Sequence, residues 1–545
     1  MSAFSITIRS EGETLSLAQP IVSLSVSKQL DKIPDATITL IDGSIASREF
    51  PLSDSDFFAP GKAIDISLRY EGREDTTVFA GVVIRNRMRV GDSQPLLQVE
   101  ARDRAVALTQ ARQSRAFREL SDGEIFSQLV GDAGLTAESV AETQPKHAEL
   151  LQYRVTDWDF LLSRAQAFGL CVAADDGKLS LVQPDLSAEP DQRFELGIDE
   201  LYDIELEADG LRQATAVSAT AWDPAEQKSI EPLSGEAFAL TQGDLDPAAM
   251  AEAEGFGDTR LVHAVASDPA ELQSWADGRL RRSRLAMIRG RIGLRGRADL
   301  KPLQIVELAG ISARFNGKAL VSAVRHRIDD LGWRTDIELG LSPQQLIAQP
   351  DVIEAPAGGL LPAVSSLQIG LVDAFEADPL GEQRLRILLP VLGEEQSAVW
   401  ARLALPNAGA EHGFVFRPEI GDEVVVAFLN GDPRQAVVLG ALFSSANAPP
   451  GDYAEASEEN EAKGIVTRSG TTIGFVDADK PAVFIETPAG NKLLLDDDGE
   501  QLSLEDQHGN SLLLSADGIA ITSAADLIID ASGDIKISGQ SIDLS

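Results

Sequence analysis

Along the first 120 residues, apolar and polar positions alternate with the two-residue period of half-buried strands. Ile6–Ile8, Ile21–Val26, Ala36–Ile41, Ala63–Leu68 and Thr77–Arg85 read this way, with turns expected at Asp42-Gly43 and Pro60-Gly61. The period then becomes helical. Ser121 with Glu124 has the form of a capping box, and Ile125, Phe126, Leu129 and Val130 form the stripe that follows, ended by Gly131 and Gly134. A second helix opens at Thr156, carries Trp158, Leu161, Leu162, Ala165 and Phe168, and stops at Gly169. A hairpin turning at Asp176-Gly177 follows. Asp268-Pro269 supplies an N-cap and a first-turn proline for a third helix. Residues 194–262 and 289–341 read as strands and loops.

The Pro/Gly-rich stretch 349–363 reads as a linker. Strand candidates then crowd residues 364–445: Gln368–Ala374, Arg384–Val391, Val399–Leu405, Gly413–Phe416, Asp422–Asn430 and Gln435–Phe443. Five or six strands in about eighty residues suit a small barrel such as an OB-fold. Asn430-Gly431 between the last two runs predicts a tight turn with positive φ. The polar, acidic stretch 446–464 reads as a second linker.

Beyond it the pattern repeats. Apolar residues two apart recur as Ile473/Phe475, Val483/Ile485, Leu493/Leu495, Leu502/Leu504, Leu512/Leu514, Ile519/Ile521, Leu527/Ile529, Ile535/Ile537 and Ile542/Leu544. Successive pairs begin 7 to 10 residues apart, the spacing of an array of short strands. Each strand offers two apolar side chains to one face. A sheet one layer thick must cover that face with something. Three identical sheets arranged as a prism would do so. The expected trimer core is then Leu493, Leu495, Leu502, Leu504, Leu512, Leu514, Ile519, Ile521, Leu527, Ile529, Ile535, Ile537, Ile542 and Leu544. A single-chain β-helix with eight-residue faces is the alternative. Residues 465–545 carry 14 Asp/Glu against four Lys/Arg, so the outside of such an array is well solvated.

Composition narrows the function. The 545 residues suggest three or four domains, and a formal charge of −39 argues against nucleic acid as a partner. The exception is Arg279–Arg297, with eight arginines, which are expected to solvate a helix face or pair with acidic neighbours. The one cysteine, Cys171, sits between Leu170 and Val172 and reads as a buried apolar residue. The N-terminus alternates and carries charge early, unlike a secretory signal peptide, and no apolar run reaches 18 residues. We expect synthesis in the cytoplasm. No nucleophile elbow, HExxH, Walker loop or CxxC is present. Asp496-Asp497-Asp498 lacks the downstream pattern of a calcium loop, and Glu505 and Asp506 are adjacent, so on a strand they face opposite ways. His326 reads as a structural strand histidine. No catalytic, cofactor or metal residues are expected.

Four stretches, in order, carry a family resemblance: residues 33–83 with "IPDATITLIDG", "FFAPGKAIDISLRYEG" and "TVFAGVV"; "YRVTDWDFLLSRAQAFGL" at 153–170; the "FNGKALVSAVRHRIDDLGWRTDIEL" strands within 296–339; and "VWARLALPNAGAEHGFVFRPEIGDEVVVAFLNGDPRQAVVLGALF" at 399–443. Together the chain resembles the VgrG-like hub-and-spike proteins of contractile injection systems, kin to phage-tail late-control-D proteins. The resemblance implies a mainly β fold with a few helices. It places a hub of two β-barrel-like domains at 1–360, an OB-fold at 364–445, an acidic linker at 446–464 and a triple-stranded β-helix spike at 465–545. It implies a homotrimer that docks on an inner tube protein, contacts baseplate components, carries a PAAR-repeat tip protein and pierces a target membrane, without chemistry. A type VI secretion spike and a phage baseplate spike are variants of that reading. A polysaccharide-degrading β-helix enzyme and a trimeric adhesin are more distant ones. No lysozyme-like insert separates OB-fold and tail, the chain ends inside the repeat, and the tail's one histidine, His508, gives no paired-histidine metal tip. The short approach to the OB-fold, "GLVDAFEADPLGEQRLRILLP", resembles that of released, extracellular phage-like particles.

Overall fold

A computed structural model describes all residues except 1–3, 17–18, 92–93, 241, 256, 394–397, 456 and 544–545. The chain divides into two compact units, Met1–Ala355 and Pro356–Ser545. The fold is mainly β. Among the described residues no helix is long and apolar enough to cross a membrane.

The first unit is organised by a 13-stranded sheet that contains two four-strand blocks. In one block the neighbours run Ile21–Gln29, Asp35–Ile41, Leu96–Arg102, Thr76–Arg89. In the other they run Leu201–Ala208, Ile288–Arg295, Gly332–Leu339, Gly317–Asp329. The blocks join where Ala323–Ile328 pairs antiparallel with Leu24–Gln29. Strict alternation sends Leu24, Val26, Ile38, Leu40, Leu97 and Val99 into the first core, where Ile8, Ile64, Ile66 and Phe79 meet them. The second core gathers Phe194, Ile292, Leu294, Val306, Val324 and Ile337. The expected turns carry glycine at positive φ, +70° at Gly43 and +95° at Gly61.

Between the blocks lie helices α1 (Asp122–Asp132) and α2 (Asp157–Ala167). Ser121 and Glu124 form the capping box, and Thr156 Oγ1 accepts from the Asp159 N–H at 3.1 Å. Their apolar stripes bury Ile125, Phe126, Leu129, Leu161, Leu162 and Phe168 together. A helix that the sequence reading missed, α3 (Pro247–Ala253), interrupts the strands of 194–262. Asp246-Pro247 starts it with the same cap-and-proline signal that starts α4 (Pro269–Leu285). α2 and α4 approach at two glycines. A Cβ on Gly278 would lie 2.4 Å from the Gly169 nitrogen and 2.5 Å from the Phe168 carbonyl carbon. Only hydrogen at Gly278 allows this separation.

In the second unit, Gln368–Ala374, Leu385–Leu388, Ala398–Leu403, Ala436–Ala441 and Glu423–Phe428 close a five-stranded barrel. Val372, Ile387, Ala401, Val424, Val426 and Val438 fill it. Two local expectations are corrected. Gly413–Phe416 is not a barrel strand: Ala408–Gly409 pairs with His412–Gly413 as a small ribbon, and Phe414, Val415 and Phe416 are exposed. The hairpin is also wider than a two-residue turn. Asn430 and Gly431 have the positive φ expected, +54° and +68°, but Pro433 follows. A second turn then closes by the Gln435 N–H donating to Asp432 O, so strand pairing resumes only at Phe428↔Ala436.

The tail is a seven-stranded antiparallel meander: Ala462–Val466, Thr472–Val476, Ala482–Glu486, Lys492–Asp496, Gln501–Glu505, Ser511–Ser515 and Gly518–Thr522. Each strand pairs with the next in sequence. A chain coiling on itself as a β-helix would need parallel pairing between successive coils, so the single-chain β-helix alternative does not describe residues 462–522. The pairs Leu527/Ile529 and Ile535/Ile537, and Ile542, lie in no strand of this chain. Leu544 lies outside the described residues.

Candidate functional site: an uncovered apolar ladder on the tail

The register of the meander turns the sequence pairs into two continuous columns on one face. One column is Ile465, Ile473, Ile485, Leu493, Leu504, Leu512, Ile521; the other is Phe475, Val483, Leu495, Leu502, Leu514, Ile519. Directly opposed side chains on one face are the packing unit of a sheet. Among the described residues these columns stay exposed or half-buried. Leu504 is 52% exposed and Ile519 70%. With roughly half of a typical side chain left in water, covering it would contribute about 1 kcal/mol per residue.

The opposite face closes on itself. Its central column is Gly464, Gly474, Phe484, Leu494, Ser503, Leu513, Ala520. The ring of Phe484 lies over Gly474, where a Cβ would sit 2.2 Å from its Cζ. Tyr453 lies over Gly464 in the same way, with 2.2 Å from that Cβ position to its Oη. Ser503, flanked in register by Leu494 and Leu513, is 2% exposed. Large side chains thus cover small ones on this face, and polar residues flank them. The meander therefore has one finished face and one unfinished one. The alternating pairs identify the unfinished face; the glycines at 464 and 474 are the signal for the finished one, and the sequence reading did not use them.

The turns make the repeat regular. Gly470, Gly490 and Gly509 have φ of +88°, +90° and +89°, in turns closed by the same pair of backbone hydrogen bonds at Thr467, Thr487 and Asp506. The true repeat is therefore a two-strand hairpin, with these glycines 20 and 19 residues apart. Asn510 Oδ1 accepts from Ala524 N–H at 2.8 Å, and Asn491 Oδ1 from Gln507 N–H at 3.2 Å, so each asparagine ties its turn to the next one along the edge. On the other edge Lys480 pairs with Asp498 at 2.5 Å, and Lys463 with Asp477. The Asn510 amide beside Asp506 holds that carboxyl below its ordinary value.

The other residues weighed for chemistry have structural surroundings. Cys171 is fully buried, and burial pushes its thiol well above its usual range. His326 is buried with Nδ1 3.0 Å from Thr335 Oγ1. Burial, reinforced by the Lys28 charge, depresses its pKa to about 3. Asp496, Asp497 and Asp498 sit at a strand end and turn, and Asp506 opens a turn in which it accepts from the His508 and Asn510 N–H groups. Among the described residues no group of three or more His, Cys, Asp or Glu could hold a metal ion. The arginine-rich stretch is neutralised largely within the chain. Arg282 pairs with Asp31, Arg289 with Glu207 and Asp209, Arg291 with Asp203, Arg295 with Glu200 and Arg297 with Asp299. Arg284 is buried and donates to Gln213 Oε1 and Ala214 O.

Two segments of the second unit match known domain families. Residues 368–443 match the type VI secretion system/phage-baseplate injector OB domain, and residues 482–545 the phage baseplate V C-terminal trimerisation domain. The actin cross-linking toxin VgrG1 of Vibrio cholerae is 47% identical over 58 residues, 11% of this chain and 5% of that protein. The type VI secretion system spike protein VgrG2a of Pseudomonas aeruginosa is 33% identical over 131 residues, 22% of this chain and 14% of that protein. These matches therefore span only a small part of each relative's length. Among solved structures, the 43 kDa tail protein of prophage MuSo2 from Shewanella oneidensis is 12% identical, covering 63% of this chain and 99% of that one at a TM-score of 0.47. The matched OB and trimerisation domains support a VgrG-like/phage-baseplate spike protein. Over residues 1–330 the chain matches the Alg8 N-terminal domain, and it belongs to that family.

Proposed function

We propose that the protein is the homotrimeric central spike of a contractile injection system. It docks on the inner tube, and its tail leads the tube through a target membrane. The observation that supports this most strongly is the two-column apolar face of the tail, left uncovered along seven strands and overlapping the segment that matches a trimerisation domain. Three such faces turned inward make a dry core without another protein. Outward, the finished face presents carboxylates and ion pairs, which keep a narrow prism soluble. The hub would meet the inner tube protein and baseplate components, and the tail's far end a PAAR-repeat tip protein. The role is mechanical, with no substrate and no cofactor. The protein is made in the cytoplasm and leaves it as part of a phage-tail-like particle. Gold-labelled antibody against the chain, applied to contractile particles sedimented from the producing cells, should mark the leading end of the tube. Particles that lack the chain would end this reading.

A further inference from the structure

The carboxylates that answer the arginine-rich stretch gather mostly at its far half, Arg289–Arg297. Its near half lies on α4, where the balance differs. Arg279, Arg282 and Ser283 fall three and four residues apart, so they share one helix face. That face forms one wall of a cavity of about 390 Å³. Residues 211–213 form a second wall, which brings Arg212, and residues 258–259 a third. Three guanidinium groups thus line the cavity against one carboxylate, that of Asp258. In a chain with a net charge of −39 this is a local inversion of sign.

The neutral groups of the cavity are already committed. Gln213 Nε2 donates to Ser283 O at 2.7 Å, and its Oε1 accepts from Arg284 Nη1 at 3.0 Å. Ser283 Oγ donates to Arg212 O at 2.7 Å, and Asp258 Oδ1 accepts from Thr215 Oγ1. These bonds fix the walls. The arginines keep donors in hand. Among the described residues Arg212 and Arg279 make no ion pair; the Arg212 side chain makes no hydrogen bond, and Arg279 makes one, from Nη1 to Gln345 Oε1 at 3.2 Å. Arg282 is buried. It donates from Nε to Ser342 O at 3.2 Å and turns Nη1 toward Asp31, which leaves Nη2 with no partner among the described residues. A guanidinium keeps its charge at any ordinary pH, so this cluster cannot relieve its repulsion by losing a proton. A bound anion relieves it.

We infer that this cavity binds a phosphate group carried by a small molecule. A phosphate brings close to two negative charges and three free oxygens, one for each guanidinium, and forked donors suit it. A carboxylate brings one charge and two oxygens. The volume is that of a small-ligand pocket rather than of a single ion. Bound there, the ligand ties α4 to residues 211–213 and 258–259. The site depends on neither the trimer nor the tail.

Isothermal titration of the full chain with inorganic pyrophosphate, at constant ionic strength set by sodium chloride, tests the site. One saturable site per chain is expected. Arg212→Gln and Arg279→Gln should each weaken it about tenfold, through loss of one charge-assisted hydrogen bond. Arg212 is exposed and its side chain holds nothing else, so that variant keeps its fold. Asp258→Asn should tighten binding by removing the opposing carboxylate. Arg73→Gln, at an exposed arginine outside the cavity, should leave it unchanged. Absence of a saturable site would overturn the proposal, as would binding that Arg212→Gln and Arg279→Gln leave at parental strength. Acetate bound as tightly as pyrophosphate would overturn the assignment to phosphate.

Discussion

Leu504→Asp separates a buried tail face from an exposed one. In a single chain Leu504 is 52% exposed and stands between Leu493 and Leu512 in its column, so a lone copy accommodates aspartate at small cost. In the trimer three carboxyls would meet inside an apolar core. Keeping them neutral at pH 7 costs about 4 kcal/mol each, from roughly three pH units above an ordinary carboxylate pKa at about 1.4 kcal/mol per unit. Three copies then lose about 12 kcal/mol, plus the apolar burial forgone, and leaving them charged costs more. At pH 5 the same term falls to about 1.5 kcal/mol per copy. Sedimentation velocity should therefore show loss of trimer at pH 7 and partial recovery at pH 5. Thr522→Asp, on the opposite face beside Ile521, should leave the trimer intact at both pH values. A Leu504→Asp trimer as stable as the parent at pH 7 would refute the inward orientation of the ladder.

Gly278→Ala should destabilise the first unit by about 1–3 kcal/mol, because its methyl meets backbone atoms at the end of α2 that cannot rotate away; an unchanged urea midpoint would show that the α2–α4 contact can open freely. His326 has a folded pKa near 3 against an ordinary 6.5, so the unfolded chain takes up the proton first as pH falls. Its contribution is complete above pH 6.5 and is lost progressively down to pH 3, at about 1.4 kcal/mol per pH unit. His326→Gln should therefore lose less stability than the parent between pH 7 and pH 5 in urea unfolding, and equal losses would place the acid sensitivity elsewhere.

Legibility in the sequence followed the range of the interactions. Ser121 with Glu124 and Asp268 with Pro269 were readable because a cap is decided within four residues. The barrel strands and the alternating tail pairs were readable because strand periodicity is local. Helix α3 carried the same Asp-Pro signal but only seven residues, too short for an apolar period to show. The true tail repeat of 19 to 20 residues was hidden because both strands of each hairpin carry the same apolar pair. Phe484 over Gly474 is a packing event between neighbouring strands, invisible until the register is known. The partners of the arginines between Arg279 and Arg297 lie mostly scores of residues upstream, where charge pattern alone gives a sign but not a partner.

In the proposed trimer the unfinished face of the tail is finished by two further copies. Mass by light scattering on the purified full chain, followed by limited proteolysis, tests it most directly. Three times the chain mass of 58.2 kDa is expected, unchanged on dilution, with residues 462–545 surviving protease. A monomer of 58.2 kDa whose tail is nonetheless protected would contradict it.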